Sequence, residues 1–351
     1  MTQKRKNVLI VGAFGYHNNS LDGQSIKTRN VYNLVKENSN DHLEFFCTSH
    51  AKSQPYRIVK LLWQLFKADK VILIPCRNNI TYTFPLIYLI GLIVRYDIIH
   101  ICIGSYHKNY FCGLNGLKAH PLQLWLSKKI LAFLPETKSV NECLINELGF
   151  KNTEIFPNFR PIPSIPNPIY NKEDSLKLVF MARVQKMKGY DIIFEFAKYA
   201  EDNGLNITID FYGQIESEES TEFMQKVKMN SKTEYKGYLE PEQITQTLCN
   251  YDVLLLPTRY YMEGFPGTIL DAYIAGIPVI VTEWINSHEF VINGKTGFIV
   301  DFENPQDQFN QCIVNLYNDR ELLFNLKQQA RKECFKYSEQ SAWSILSKYL
   351  Q

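Results

Sequence analysis

The sequence predicts an α/β protein of two domains, each built on a parallel β-sheet covered by helices. The chain has 351 residues, a length typical of two domains. Apolar strand-like runs alternate with helical patterns along the chain, which is the signature of parallel sheets. A proline-rich stretch at residues 157–168 divides this alternation into two runs and predicts a linker.

The first run predicts an N-terminal domain over residues 1–165. It opens with an apolar strand from Asn7 that ends in a glycine loop, Gly12 to Gly15, and continues into a helical pattern from Ile26 to Glu37. Further strands of this half are predicted at residues 43–47, 71–75 and 97–103.

The second run predicts a second domain over residues 166–336. A strand at residues 176–181 is followed by a helix at residues 190–203. Later strands are predicted at residues 207–212, 253–257 and 279–282. The order of elements repeats the pattern of the first domain, so we expect two similar α/β halves.

Composition excludes several classes of protein. The hydrophobic fraction of 45% is ordinary for a globular chain, which excludes a disordered or fibrous protein. The eight cysteines are scattered without a C-x-x-C pair, and residues 1–6 lack a signal-peptide pattern, so we expect free thiols and a cytoplasmic protein. The longest apolar run, Thr83 to Val94, is too short to span a membrane and predicts a buried helix or strand.

The two halves differ in charge. Residues 1–165 carry 20 Lys and Arg against 10 Asp and Glu, whereas residues 166–351 carry 18 against 26. Two basic amphipathic segments lie in the first half, at residues 57–70 and 118–134. Two interpretations remain open: peripheral contact with the anionic inner face of the cytoplasmic membrane, or ordinary domain helices on a solvated basic surface.

The most informative segment runs from Glu263 through Gly-Phe-Pro-Gly267 to Asp271 and on to Gly276-Ile-Pro278. Glycines allow backbone N–H groups to approach a ligand closely, and a helix that begins there directs its positive end at an anion. Asp271 follows Gly267 by about one helical turn and can face the same side. The segment therefore predicts a nucleotide-sugar site.

This segment resembles the E-x7-E signature of retaining glycosyltransferases of family 4. The resemblance implies the GT-B fold, two Rossmann-like domains that face each other across a cleft. It also implies that Glu263 holds the donor sugar, and that Asp271, standing where a Glu is usual, binds the ribose. The donor-binding residues implied by the segment are Gly264, Phe265, Pro266, Gly267 and Asp271.

A second motif, Ala182-Arg183-Val-Gln-Lys-Met-Lys188-Gly189, resembles the G-R-x-x-x-x-K-G loop of the same family. The resemblance implies that Arg183 and Lys188 grip the donor diphosphate. Fixed cations suit this task because negative charge grows on the leaving diphosphate in the transition state. Arg183 and Lys188 are therefore expected to be catalytic together with Glu263.

Weaker resemblances add four candidates. Gly213 and Tyr238 stand at strand ends that cradle the diphosphate and base in relatives, although the Tyr238 ring is equally compatible with a core position. Gly23 remains from a Gly-Gly loop that faces the donor phosphates, and the helix start near it would offer N–H donors. His100 is the first choice for a histidine that reaches the donor sugar, His107 is the second, and a core histidine is the alternative.

The resemblance implies retaining transfer of a hexosyl unit from a nucleotide-diphosphate sugar to a glycan or lipid-linked acceptor in surface polysaccharide synthesis. UDP is favoured as carrier, with GDP as the alternative. No D-x-D motif or cluster of metal ligands is present in the sequence, so we expect metal-independent transfer, no cofactor and no nucleic-acid partner. Residues 337–351 are expected to form a C-terminal helix that packs back toward the first domain, as in relatives.

Two other functions remain open. An enzyme of the same fold could epimerise UDP-GlcNAc, although the pair of acids and the two cations favour transfer. A non-catalytic glycosyltransferase-like partner subunit is suggested by Asp271, by the single Gly23, and by Ser287-His288 in the place of a glycine-rich loop. His288 itself is interpreted as a surface histidine.

Overall fold

The computed structural model describes residues 5–16, 22–49, 56–75, 83–104, 110–111, 119–170 and 174–351. The chain divides into two compact units. Unit 1 contains Met1–Phe159 together with Glu339–Gln351, and unit 2 contains Arg160–Ser338. The first division falls inside the proline-rich stretch, six residues before the boundary at residue 165 suggested by the sequence.

Unit 1 is built on a five-stranded parallel sheet with the order β2-β1-β3-β4-β5. Its strands are β1 (Asn7–Gly12), β2 (His42–Cys47), β3 (Lys70–Ile74), β4 (Asp97–Ile101) and β5 (Ala132–Leu134). Its helices are α1 (Gly23–Asn38), α2 (Arg57–Lys67), α3 (Thr83–Val94), α4 (Pro121–Ser127), α5 (Lys138–Glu142), continued by a π turn (Cys143–Glu147), and the last helix of the chain, α13 (Glu339–Leu350).

The two faces of this sheet bury different side chains because successive strand residues point to opposite sides. Val8 and Ile10 of β1 belong to the core on the side of α1 and α13. Leu9 and Val11 belong to the core on the side of α2, α3 and α4. The apolar run that the sequence predicts as buried is the helix α3, and it is buried on one side only, since Ile93 is 79% exposed.

The expectation of free thiols holds for five cysteines and fails for one. Within the part of the chain that the structure describes, five cysteines are free, at positions 47, 102, 249, 312 and 334. Cys143 is disulfide-bonded, which corrects the prediction for that residue. Within the described ranges no helix is both long enough and apolar enough to cross a membrane.

Unit 2 is built on a six-stranded parallel sheet with the order β11-β10-β9-β6-β7-β8. The strands are β6 (Leu176–Met181), β7 (Ile207–Tyr212), β8 (Thr233–Tyr235), β9 (Val253–Leu256), β10 (Val279–Thr282) and β11 (Gly297–Val300). The helices are α6 (Tyr190–Asp202), α7 (Ser220–Met229), α8 (Pro241–Leu248), α9 (Gly267–Ala275), α10 (Ser287–Phe290), α11 (Gln306–Asn318) and α12 (Arg320–Glu333), with short 3₁₀ turns at Lys186–Lys188 and Cys334–Tyr337.

This strand order is that of a Rossmann sheet, in which the chain fills one half, returns to the centre and fills the other half. All four residues of β9 are buried, as expected for a central strand covered on both faces. The predicted fold class is confirmed, since both units are doubly wound parallel sheets. In unit 2 the direction of winding reverses between β6 and β9, which is where ligands bind in such sheets.

Gly213, which follows β7, allows the ends of two strands to approach closely. It has φ of +134°, and a Cβ at this position would lie 1.8 Å from the carbonyl oxygen of Ala182 after β6. Its own N–H donates to the carbonyl of Gly237 at 2.9 Å, which links the ends of β7 and β8. Only glycine satisfies both the dihedral angle and the contact.

We predict that Gly213→Ala destabilises unit 2 strongly. Gly204→Ala is the matched control, because Gly204 also has positive φ (+63°) but no atom lies within 4 Å of its Cβ position. The control substitution should lower the free energy of unfolding by about 1–2 kcal/mol because of its positive φ alone. Gly213→Ala should lower it by roughly 1–3 kcal/mol more, because the neighbouring backbone must also move. Urea midpoints measured by circular dichroism would reveal this, and equal midpoints for both variants would contradict it.

Candidate active site

The candidate site lies at the carboxyl ends of β6 and β9, the point at which unit 2 reverses its winding. The two strands are direct neighbours, paired in parallel through Leu178 with Val253 and Val179 with Leu254. The loop after β6 carries the cationic motif, and the loop after β9 carries the acidic one. The fold therefore brings together the two segments that the sequence singles out.

Lys188 and Glu263 form an ion pair at this point, between the Lys188 ammonium nitrogen Nζ and the Glu263 oxygen Oε2. The two side chains are only 19% and 15% exposed. The Thr258 hydroxyl lies 3.5 Å from the same carboxylate oxygen, and the Asn286 side-chain amide donates to the Glu263 carbonyl at 2.7 Å. The sequence predicts the charged residues but not their contact, and it gives no signal for Asn286.

The two loops are held together by their backbones. Gly189 has φ of +78°, and a Cβ there would lie 1.8 Å from the carbonyl oxygen of Pro257. The Arg259 N–H donates to the carbonyl of Met187 at 2.9 Å. This backbone contact holds the two loops together, so Lys188 on one loop and Glu263 on the other lie close enough to form their ion pair.

Phe265 fixes the loop that leads from Glu263 into α9. It is 4% exposed, and its ring stacks on Phe290 with centroids 3.9 Å apart and planes at 4°. The Tyr337 ring packs against it at 4.7 Å. The side chain of Phe265 is thus part of the core, and a role in donor binding stays a prediction for its backbone alone.

The remaining loop residues lead into the start of α9. Gly264, Pro266 and Gly267 are half-buried. α9 begins at Gly267, and Pro266 before it supplies no side-chain acceptor for the first backbone N–H groups. These groups and the positive end of the helix dipole make the segment suitable for an anion or a sugar oxygen.

Asp271 forms a second ion pair of low exposure, with Arg160. The distance from Arg160 Nε to Asp271 Oδ1 is 3.1 Å, and each side chain is 13% exposed. Burial raises the pKa of Asp271, and the Arg160 guanidinium opposes that increase. Arg160 is missed in the sequence because its partner lies 111 positions away; its only mark is a lone cation in the proline-rich stretch.

Arg183 occupies a more exposed position than Lys188. Its side chain is 53% exposed and lies 3.4 Å from Glu216. It therefore faces Glu216 in this structure, and its role at the diphosphate stays a prediction.

The strand-end residues Gly213 and Tyr238 have different surroundings. The Gly213 carbonyl accepts a hydrogen bond from the Tyr235 hydroxyl at 2.9 Å. Tyr238 is 61% exposed, so the structure favours an accessible ring over the core position left open by the sequence.

At Gly23 the structure differs from the sequence-based expectation of free N–H donors for a phosphate. Asp22 caps α1, and its Oδ1 accepts from the backbone N–H groups of Gln24 and Ser25, both at 3.0 Å. The Ser25 hydroxyl donates to the other oxygen at 2.8 Å. A carboxylate thus already occupies the helix start, as is usual for an N-cap.

His100 lies inside the core of unit 1. It is 1% exposed, its Nδ1 is hydrogen-bonded to the Tyr88 hydroxyl, and its ring stacks on Phe133 with centroids 4.3 Å apart. This position favours the core-histidine alternative over contact with a donor sugar. His107, the second choice, lies outside the described residues.

His288 is a surface residue, with a side chain 63% exposed and Nε2 2.8 Å from Glu283. Among the described residues, no group of three or more His, Cys, Asp or Glu side chains is arranged to hold a metal ion.

A family model matches the part of the chain that carries the candidate site. Residues 162–333, just under half of the chain, match the family model described as glycosyl transferases group 1. The matched segment lies within unit 2 and includes Lys188, Glu263 and Asp271.

The chain is also similar to two bacterial glycosyltransferases and to an uncharacterized bacterial protein. An N,N'-diacetylbacillosaminyl-diphospho-undecaprenol alpha-1,3-N-acetylgalactosaminyltransferase of Campylobacter jejuni is 24% identical over 322 residues, or 89% of this chain and 77% of that enzyme. The capsular polysaccharide biosynthesis glycosyltransferase CapM of Staphylococcus aureus is 25% identical over 209 residues, or 59% and 54%. An uncharacterized 41.2 kDa protein in the cps region of Klebsiella pneumoniae is 25% identical, and this chain spans 42% of it. The chain thus spans about half the length of two of these three relatives.

Two solved structures share the fold over the whole chain. HepE of Anabaena, in complex with UDP and glucose, has a TM-score of 0.72 and 13% identity, with 99% of both chains covered. A sucrose-phosphate synthase of Thermosynechococcus elongatus also has a TM-score of 0.72 and 13% identity, with 98% of both chains covered. At such identities the likeness concerns the fold, and it confirms the predicted GT-B fold.

We predict that Arg160→Met destabilises the protein in a pH-dependent manner. The substitution leaves Asp271 buried without its cation, which should cost about 3–5 kcal/mol at neutral pH. Removal of the opposing guanidinium should raise the pKa of Asp271 further. A carboxyl with a raised folded-state pKa destabilises the fold only when it is ionised, so the loss of stability should be largest above the folded pKa of Asp271 and should shrink as pH falls toward the pKa of an ordinary Asp carboxyl.

The matched control is the double variant Arg160→Met with Asp271→Asn, which carries no charge at either position. Its stability should depend on pH less than that of Arg160→Met. Urea midpoints at several pH values supply the measurement, and a deficit that is constant with pH in the single variant would contradict the interpretation.

Proposed function

We propose that this chain is a retaining glycosyltransferase that moves a hexosyl unit from a nucleotide-diphosphate sugar to a glycan or lipid-linked acceptor of a surface polysaccharide. The observation that carries the proposal is the Lys188–Glu263 pair at the reversal point of the unit 2 sheet. The family match over residues 162–333 and the two glycosyltransferase relatives, one of them named for capsular polysaccharide biosynthesis, support the same chemistry.

Donor binding would exchange partners within this pair. Without a ligand, Lys188 and Glu263 neutralise each other in a setting of low exposure. A donor diphosphate carries more negative charge than one carboxylate, so it competes for the Lys188 ammonium. Glu263 then has oxygens available to accept hydrogen bonds from sugar hydroxyls.

The proposed reaction occurs on one face of the sugar. The acceptor hydroxyl oxygen attacks the anomeric carbon from the side of the leaving group, and the bond from that carbon to the diphosphate oxygen breaks. The diphosphate takes the hydroxyl proton and leaves as a nucleoside diphosphate, so the anomeric configuration is retained. Lys188, Arg183 and the start of α9 stabilise the charge that develops on it.

The same cations are the basis for proposing transfer without a divalent metal, since Lys188, Arg183 and the helix start supply positive charge at the leaving group. UDP is the favoured carrier, which is supported by the presence of UDP in the HepE complex. Asp271 would hold the ribose hydroxyls with the oxygen that does not bind Arg160.

A second candidate, a non-catalytic partner subunit, is favoured by two observations. Arg160 already engages the carboxylate assigned to the ribose, and Asp22 caps the helix start assigned to the phosphates. Measurements of nucleotide binding and transfer distinguish the two candidates, because a subunit without donor chemistry would bind no nucleotide at this site.

We predict that Lys188→Ala weakens binding of UDP about 10- to 100-fold, the range expected when one charge-assisted hydrogen bond is lost. Lys186→Ala is the control on the same loop, since Lys186 makes an exposed ion pair with Glu222, with side chains 52% and 44% exposed. Calorimetric titration with UDP, GDP and ADP would also identify the carrier. If both variants lost UDP affinity equally, the diphosphate would not bind at Lys188.

We predict that Glu263→Gln retains UDP binding and loses transfer. The amide removes the charge partner of Lys188, which stays available to the diphosphate, but it holds the sugar less well in the transition state. We expect a fall in turnover of about a hundredfold or more. Release of UDP from UDP-hexoses, with and without acceptor and with EDTA present, is the assay. Unchanged turnover in this variant would refute the role of Glu263, and the absence of both binding and turnover in the unmodified protein would favour the partner subunit.

A further inference from the structure

Three adjacent helices of unit 1 share an outward surface with an unusual composition. α2, α3 and α4 cover the sheet face that carries Leu9 and Val11, and α3 packs against both of the others. Their solvent-facing sides therefore form one continuous surface, which we call the outer helix face.

On α2, large apolar side chains point outward. Val59, Trp63 and Phe66 follow the spacing i, i+4, i+7 of a single helix face and are 69%, 54% and 66% exposed. Gln64 points inward and donates to Glu44 at 2.7 Å. Leu61 and Leu65 face the core, as in an ordinary surface helix, so α2 carries apolar side chains on its outer side in addition to its buried stripe.

α3 contains no charged residue at all. Its inner side contributes Phe84, Ile87 and Tyr88 to the core. Its outer side exposes Leu86, Leu89, Leu92 and Ile93, at 52%, 38%, 53% and 79%. A helix that is apolar all round is normally enclosed, so the outer half of α3 requires an apolar environment that the described residues of unit 1 do not supply.

α4 extends the same surface with Leu122 and Trp125, which are 45% and 50% exposed. Helices α1 and α13, which cover the opposite face of the sheet and are described in full, expose no large apolar side chain. With Ile58 of α2, which is 46% exposed, ten large apolar side chains are exposed on these three helices. Single exposed apolar residues are common on proteins, but ten on three adjacent helices mark an interaction surface.

The charges around this surface identify its partner. None of the three helices contains an Asp or a Glu. Lys60 and Lys67 lie on α2, and Lys128 and Lys129 follow α4 directly. The Lys67 ammonium lies 3.5 Å from the centroid of the Trp63 ring, so an aromatic ring and a cation stand at the same level. Aromatic rings and lysines at one depth are typical of the interface of a bilayer with anionic lipids.

We propose that the outer helix face inserts into the interfacial region of an anionic lipid bilayer, with its aliphatic side chains at the acyl boundary and its lysines among the phosphates. A second copy of the chain is a poorer partner, because pairing two such faces would bring their cations together. The proposal rests on these helices alone, so it stands or falls independently of the transfer chemistry.

The test is flotation of the full chain with vesicles of phosphatidylcholine, alone or mixed equally with phosphatidylglycerol. We expect binding to the mixed vesicles and a shift of tryptophan emission to shorter wavelength as Trp63 and Trp125 leave water. Trp63→Ser with Phe66→Ser should weaken partitioning about tenfold or more. The control, Ile169→Ser with Met229→Ser, removes side chains that are 80% and 84% exposed in unit 2 and should leave binding unchanged.

A second variant tests the contribution of the lysine charges to vesicle binding. Lys60→Gln with Lys67→Gln should lower affinity for the mixed vesicles about thirtyfold, since each cation near an anionic surface contributes about 1 kcal/mol. Equal binding of all variants to both kinds of vesicle, or no binding by the unmodified chain, would overturn the proposal. A dimer in light scattering that Trp63→Ser with Phe66→Ser dissociates would also overturn it, in favour of self-association.

Discussion

The contact between the backbones at Gly189 and Pro257 is the constraint on which the candidate site depends. The loops that meet there leave strands that are neighbours in the sheet but distant in the sequence. A side chain at position 189 would force them apart, and Lys188 would then lose its carboxylate partner. A pair of charges held away from water is costly to form. The pair lies at the reversal point of the sheet, which is where ligands bind in doubly wound sheets, and a binding role would account for that cost.

The two acids of the signature share one property in the structure: each already has a cation. Glu263 is paired with Lys188, and Asp271 with Arg160. Each acidic side chain of the site is thus balanced by a neighbouring positive charge. A nucleotide-sugar brings negative diphosphate and neutral hydroxyl groups, so it can exchange with these partners without leaving a bare charge in a half-buried setting.

The sequence predicts the fold well because hydrophobic periodicity and element order are local properties, and it predicts the charged motifs because they sit in loops directly after strands. It does not reveal which residues meet. Arg160 pairs with a residue over a hundred positions away, and the direction in which His100 points depends on neighbouring rings. The N-cap at Asp22 could have been predicted from the sequence, since an Asp before a helix is a common N-cap. The exposed side of α3 could not have been predicted, because a helix that is apolar all round carries no periodic signal.

Unit 1 is composed of two stretches of chain, with the whole of unit 2 between them. α13 contributes Ala342, Leu346 and Leu350 to the core beside α1. During synthesis on the ribosome, unit 2 can therefore close its core before unit 1 does. The first 159 residues wait for their last helix for roughly 10–40 s at ordinary elongation rates. Throughout that interval an unfilled apolar groove is open beside α1, so the nascent chain is most in need of chaperone protection while its second half is being made.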